Sequence, residues 1–161
     1  MKPKHLLIAL MLALCLASRA QAVTTVTCTV SAGGIAFGIY NPLNAVADAS
    51  TGTLRVTCTG SGTGSATVTL NLTLNTGMSG TFSTRKMFSG INTLNYNIYW
   101  SAAYTQIMGD GTGGSFGGTA TFVVPAGGSN VATGTMYGLA PASQDVVPGG
   151  YSDVITVTVT Y

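Results

Sequence analysis

The sequence predicts an all-β protein, and three observations carry that expectation. Apolar residues recur at every second position in several short runs, as at Val68, Leu70, Leu72 and Leu74, which is the period of a strand with one buried face. Gly, Thr, Ser and Val dominate, helix formers are sparse, and no segment places its apolar residues at helical spacing. Glycine-rich stretches punctuate the runs at short intervals. Charge is low, but the patterned hydrophobicity argues against disorder.

The chain opens on an address segment. Lys2, Lys4 and His5 precede an apolar run from Leu6 to Ala17, and Ser18, Arg19 and Ala20-Gln21-Ala22 follow. This is the pattern of a secretory signal peptide over residues 1–22, with cleavage expected between Ala22 and Val23. The apolar run is short for a bilayer span, so stable membrane insertion is not expected. Cys15 reads as an ordinary apolar residue of that segment. Removal of the segment takes with it the one His and three of the six cations. Residues 23–161 then contain no His and no Glu. Arg55, Arg85 and Lys86 stand against Asp48, Asp110, Asp145 and Asp153, a net charge near −1. No basic face suited to phosphates emerges, so nucleic acid is not an expected partner.

Along residues 23–161, a length suited to one domain, the strands are expected as follows. Thr24 to Val30 carries Val26, Cys28 and Val30 on one parity. Ile35 to Tyr40 carries Ile35, Phe37 and Ile39, then breaks at Asn41-Pro42; residues 44–52 read as loop. Thr53 to Thr59 places Leu54, Val56 and Cys58 together, and Gly60 to Ser65 is a flexible turn. Val68 to Leu74 is the cleanest alternation. Residues 75–90, including Arg85-Lys86-Met87, read as loop. Leu94, Tyr96, Ile98 and Trp100 share a face of the next strand. Residues 109–118 form a turn or loop, Ala120 to Val124 a strand, Val131 to Leu139 a weaker one, and 141–150 a connector. The last run places Ile155, Val157, Val159 and Tyr161 on one parity with threonines between them. Seven or eight such strands suggest a β-sandwich. Unless the last strand is paired on both sides, it leaves an apolar edge that another chain can use as a template.

Cys28 and Cys58 lie on the apolar parity of their strands, and in an exported protein they most simply form one disulfide. Closing a loop of that size contributes roughly 3–4 kcal/mol on a chain-entropy account. Residues 23–161 lack the His that a Ser-His-Asp or Cys-His arrangement needs, and no set of zinc ligands remains. The four aspartates are scattered near expected turns, where Asp bonds nearby backbone. No enzymatic activity, metal or cofactor is expected. Gly109-Asp110-Gly111 reads as a tight turn, since it lacks the spaced acidic series of a calcium loop. Asn71-Leu72-Thr73 matches a glycosylation acceptor but lies inside the best strand. Tyr96 and Trp100 read as core; Tyr99 and Tyr104 are candidates for an exposed glycan platform.

Several segments, taken together and in order, carry a resemblance. CTVSAGGIAFGIYNPL over residues 28–43, the strand with Cys58, Arg85-Lys86-Met87, LNYNIYW over 94–100, GDGTGG over 109–114 and GGYSDVITVTVTY over 149–161 resemble the spore coat protein U domain family. Met108 stands where similar sequences often have Trp. The family includes subunits of archaic chaperone–usher pili. The resemblance implies an incomplete immunoglobulin-like β-sandwich that lacks its final strand and is completed by a partner's donor strand. By position, Ile155, Val157, Val159 and Tyr161 match the edge of the partner-strand groove, the terminal carboxylate matches a chaperone anchor, and Cys28 and Cys58 match the family disulfide. The implied partners are a periplasmic chaperone, an outer-membrane usher and neighbouring subunits. Only Val23 to Thr27 precede Cys28 in the processed chain, a reach of about 17 Å. The expected role is therefore a secreted structural subunit of a pilus or of a spore or cell coat, a terminal or minor subunit that accepts a strand without donating one. The alternative is a self-sufficient secreted module that binds glycan.

Overall fold

The computed structural model describes residues 24–161, so the expected signal peptide and its cleavage between Ala22 and Val23 lie outside the described residues. The elements are β1 (Thr25–Gly33), β2 (Asp48–Ser61), β3 (Ala66–Leu74), a short 3-10 turn (Gly77–Ser79), β4 (Arg85–Ser89), β5 (Asn92–Tyr99), β6 (Ile107–Met108), β7 (Ser115–Phe116), β8 (Gly118–Val124), β9 (Ser129–Ala140) and β10 (Val157–Thr160). The larger sheet runs β1-β2-β9-β5-β6-β7, with β4 attached to β5; the smaller runs β10-β3-β8. Every pairing is antiparallel except β6 with β7.

The alternation read from the sequence becomes the inner lining of an open, all-β sandwich of immunoglobulin-like form. From the larger sheet come Leu54, Tyr96, Ile98 and Met136; from the smaller come Leu72 and Leu74, and these six share one cluster. Val56, Cys58, Val68, Leu70 and Val124 form a second cluster beside it. Threonines on the opposite parity keep the outer faces wet. β2 and β9 are paired from Asp48↔Ala140 to Thr59↔Ser129 and form the spine of the larger sheet.

Besides the two-residue strand β7 inside the expected loop 109–118, three segments differ from their sequence reading. Ile35 to Tyr40 is not a strand: Gly38 takes a left-handed φ of 78°, and Ile39 is 97 % exposed. Ile35 and Phe37 instead lie against the inner face of the larger sheet at Gly52 and Gly138. A Cβ on Gly52 would stand 2.8 Å from Ile35 Cγ1, and one on Gly138 would stand 2.6 Å from Ile35 Cγ2 and 2.8 Å from the Phe37 ring. These two glycines make the space that the segment fills. Second, β2 begins at Asp48, inside the expected loop, because Ala49 to Gly52 supply backbone pairing without an apolar alternation. Third, Arg85-Lys86-Met87 opens a strand, β4, along β5.

Arg85 is fully buried. Its guanidinium donates to Asn97 Oδ1 at 2.7 Å, to the Asn75 carbonyl at 2.9 Å and to the Met108 carbonyl at 2.7 Å. It also stacks over Phe82, 5.2 Å from the ring centroid. Nε is buried without a hydrogen-bond partner. Burial lowers the Arg85 pKa, while Tyr96, Asp153 and Tyr99 pull it back up. One planar fork thus ties the ends of β3 and β6 to β4 and β5, which a point-charge ammonium cannot reproduce.

The Cys28–Cys58 bond links directly opposed residues of β1 and β2, with Cα atoms 4.0 Å apart. Cys58 is fully buried and Cys28 half-buried. Reduction, or Cys28→Ala with Cys58→Ala, is expected to cost about 3 kcal/mol, read as a shift in urea midpoint between oxidised and reduced protein. Arg85→Lys is expected to destabilise by about 1.5–3 kcal/mol in the same assay, since charged hydrogen bonds to Asn97, Asn75 and Met108 cannot all be kept.

Candidate functional site

The two sheets each end in a strand bonded on one side. β1 pairs with β2, and β10 pairs with β3. In an antiparallel pair, alternate residues bond the partner, and the residues between them turn their N–H and C=O away. On β10 the pairing is fixed by the Asn75 N–H, which donates to the Thr156 carbonyl at 3.1 Å. The threonine parity therefore bonds β3. Ile155, Val157 and Val159 direct their backbone groups to the open side. On β1 the Cys28 N–H points away from β2 and donates to the Tyr161 hydroxyl at 3.1 Å. Val26, Val30 and Ala32 share the parity of Cys28. The residues that send side chains inward thus also send backbone donors and acceptors into the gap between the walls.

Burial marks the same gap. Across the β1–β2 pair, Gly60, Cys58, Val56 and Leu54 are buried, while their partners Val26 and Cys28 are half-buried, Val30 is 42 % exposed and Ala32 is exposed. Across the β10–β3 pair, Leu74 and Leu72 are buried, but Val157 and Val159 are half-buried. Full burial of one aliphatic side chain is worth about 1.5–3 kcal/mol. Several side chains on the two walls realise only part of that.

Near Gly33 the gap widens into a cavity of about 420 Å³, with Ala32 and Gly33 on one wall, Ile155 and Val157 on the other, and Tyr96 and Ile98 below. A neighbouring cavity of about 580 Å³ continues it between residues 35–42 and 146–151; the two share Ile35, Phe37, Met87 and Tyr151. The segment that borders both, before β10, crosses the sandwich. Ser152 exchanges two backbone bonds with Phe88 of β4, and Thr156 then joins β3. Asp153 accepts from the Tyr96 hydroxyl at 2.8 Å and from the Met78 and Val154 N–H groups at 2.9 and 2.8 Å. Burial, then that carboxylate, pushes the Tyr96 pKa well above the usual phenol range, so Tyr96 acts as a neutral donor.

The four residues singled out in the last strand fall along this gap. Ile155, Val157 and Val159 line it; Tyr161 is 57 % exposed and reaches across to Cys28. The opposing wall, Val26 to Ala32, was visible in the sequence as an alternation but not as the facing edge. The remaining candidates sit elsewhere. Tyr96 is core, Trp100 is half-buried and donates to the Phe116 carbonyl at 3.0 Å. Tyr99 and Tyr104 are half-buried and pack edge to face on each other at 5.5 Å. Asp110 accepts the Thr112 N–H and hydroxyl at 2.9 and 2.7 Å, a local turn. Among the described residues no group of three or more His, Cys, Asp or Glu could hold a metal, and no helix is long and apolar enough to cross a membrane.

A third cavity of about 500 Å³ lies between β8 and β9. Its room comes from small inward residues, Ala120, Ala132 and Gly134, opposite Leu70, Val56 and Leu54.

The sequence profile of the Spore Coat Protein U domain matches residues 14–158. The chain belongs to the spore coat protein U domain family. The sequence resemblance is thereby upheld over nearly the whole length of the chain. No curated protein sequence matches it significantly. Among solved structures, the chain shares its fold with a chain of the CsuC–CsuE chaperone–tip adhesion subunit pre-assembly complex from archaic chaperone–usher Csu pili of Acinetobacter baumannii. The TM-score is 0.50 at 17 % identity, over 85 % of this chain and 40 % of that one. The chain therefore spans less than half the length of that solved relative.

Hydrogen bonds from Thr112 hold the Asp110 pKa below the usual carboxylate value. Its contribution is therefore present at neutral pH and lost as pH falls through the folded-state value. Thr112→Ala is expected to raise the Asp110 pKa toward that of a free carboxylate in an NMR titration.

Proposed function

We propose that this chain is an exported structural subunit of a surface assembly, a pilus or a coat layer, completed by a strand from another chain. The observation that carries the reading is the pair of facing edges, β1 and β10, whose inward residues are incompletely buried and whose outward backbone groups lie along one gap. An extended segment inserted there gains backbone bonds and covers Val30, Val157 and Val159 at once, which is β-augmentation. Neither side chains nor charges suited to catalysis are needed.

On this reading a periplasmic chaperone occupies the gap first and a neighbouring subunit's segment replaces it at an outer-membrane usher, after which the domain stands on the cell or spore surface. Ile155, Val157, Val159 and Tyr161 form one border of the acceptor. The acceptor-only role is supported by β1 itself: Thr25, Val26 and Thr27 are already paired with Ser61, Gly60 and Thr59, so they are not free to serve as a donor arm.

Residues 23–161 secreted alone are expected to aggregate or be degraded, and to be recovered in a one-to-one complex when a cognate chaperone is co-expressed. Val157→Asp with Val159→Asp is expected to abolish that complex. On a gel run without boiling, one chaperone-bound band supports an acceptor-only subunit, and a ladder shows that the chain also donates. A soluble, stable monomer obtained without any partner overturns the reading.

A further inference from the structure

The inner faces of the two sheets are not packed alike along their length. Directly opposed residues of an antiparallel pair share a face, so the register shows what stands beside each core side chain. Leu54 and Val56 on β2 stand opposite Gly134 and Ala132 on β9. Leu70 and Leu72 on β3 stand opposite Ala120 and Gly118 on β8. Farther along, the inward positions are large again, with Met136 buried on β9 and Phe122 packed into the core from β8. Four small residues therefore coincide, and the cavity of about 500 Å³ lies between them. Protein interiors set large side chains against small ones so that facing layers interdigitate. Here small faces small, and a Cβ built on Gly134 would meet no atom within 4 Å.

This space differs in kind from the trench between β1 and β10. Asn130 donates from Nδ2 to the Val123 carbonyl at 2.9 Å and so bridges β9 to β8 just past Ala132. Trp100 stands by Gly118, where a Cβ would collide with the indole, and its Nε1 is tied to the Phe116 carbonyl. The Trp100 N–H donates to the Gln106 carbonyl at 3.1 Å, which brings Gln106 to the same rim. An extended chain has no run here. The space is open to solvent, since Ala120 and Gly134 are exposed. No charged residue lines it, and Gln106, Thr119 and Thr133 are the polar residues around it.

We propose that this cavity is a binding site for a small neutral molecule of two or three rings that carries a hydroxyl or carbonyl group. Volume sets the size: a cavity of about 150 Å³ holds one benzene ring, so this one holds two or three. The uncharged lining sets the charge, because an ionised group taken out of water there finds no partner. Leucines and valines of β2 and β3 form the floor, and Trp100 and Phe116 flank it with aromatic surface. Phe116 is 47 % exposed and gains cover from a ring laid beside it. Rings suit the site better than a flexible chain of equal volume, since they lose fewer conformations on binding. Gln106, exposed at the rim, has both a donor and an acceptor for a hydroxyl or carbonyl. No lining residue belongs to β1 or β10, so the site stands apart from the acceptor groove.

The probe is 2-naphthol, two fused rings with one hydroxyl, uncharged at neutral pH. It is dialysed against residues 23–161 held in complex with the chaperone, and the bound fraction is read from its own fluorescence. Saturable uptake of one molecule per subunit is expected, with a dissociation constant of about 0.1 mM. Gly134→Leu puts a side chain into the open space and is expected to weaken uptake about tenfold while leaving the chaperone complex intact. Ala120→Leu fills the same space from β8 and carries the test if Gly134→Leu fails to fold. The anionic 2-naphthalenesulfonate is expected to bind about tenfold more weakly than 2-naphthol. Equal uptake by the wild type and a folded, filled variant overturns the site, as does the absence of saturable uptake. Tighter binding of 1-decanol than of 2-naphthol overturns the assignment to rings. If the chain proves to be a stable monomer, the acceptor reading falls, and the same dialysis on the monomer decides this site separately.

Discussion

The structure turns on a coupling that every strand obeys: a residue cannot aim its side chain inward without aiming its backbone groups sideways in step with its neighbours. Inside a sheet this is harmless, because both flanks are paired. At β1 and β10 it is consequential. Val26, Cys28, Val30 and Ala32 on one wall, and Ile155, Val157 and Val159 on the other, present apolar surface to the same gap, together with backbone groups that no strand pairs; the Cys28 N–H is held there by the Tyr161 hydroxyl. Water can satisfy the backbone but not the side chains, and a loop can cover the side chains but rarely the backbone. A strand is the one element that does both.

The rest of the fold holds those walls in place. β2 and β9 form a long central ladder to which β1 is joined. Gly52 and Gly138 let Ile35 and Phe37 lie flat on that ladder, which sets the depth of the trench; Phe37 meets Tyr96 edge-on at 5.9 Å. On the far side Arg85 gathers carbonyls from the ends of β3 and β6, so the segments around Asn75 and Met108 cannot drift from β4 and β5. Asn75 also fixes the start of β10, since its side-chain oxygen accepts the Thr156 N–H at 2.9 Å. The buried cation and the open edge are thereby two ends of one chain of bonds.

What was legible in the sequence follows from period. The parities of Val68 to Leu74, Leu94 to Trp100 and the last strand survive into the structure because a two-residue repeat has one burial solution once a sheet forms. Ile35, Phe37 and Ile39 show the limit: the same spacing arises in a segment that covers a sheet rather than joins one, and the left-handed Gly38 that separates the cases is silent in a pattern of apolar residues. β4 was hidden for the opposite reason. Arg85 and Lys86 look solvated, and the carbonyls that draw Arg85 inward come from positions 75 and 108, which no local window joins. For the site, alternation marked Ile155, Val157, Val159 and Tyr161 as one apolar face and the family resemblance marked them as a groove edge, yet which strand lies opposite is a property of topology. That the wall across the gap is β1 became visible only in three dimensions, from the Cys28–Tyr161 bond and the cavity shared by Gly33 and Ile155.

The bond between Cys28 and Cys58 acquires a further meaning from its position in the outermost strand. An edge strand that receives a newcomer can fail by slipping one residue, which would turn Val26 and Val30 to the wrong face, or by being peeled off and replaced. A covalent tie between opposed residues in the middle of the β1–β2 ladder forbids both. It also dates the edge. Two thiols become one bridge in an oxidising compartment and stay apart in a reducing one. In a reducing compartment the β1–β2 ladder therefore lacks its covalent tie, and oxidation is the event that fixes the register and the position of the β1 edge.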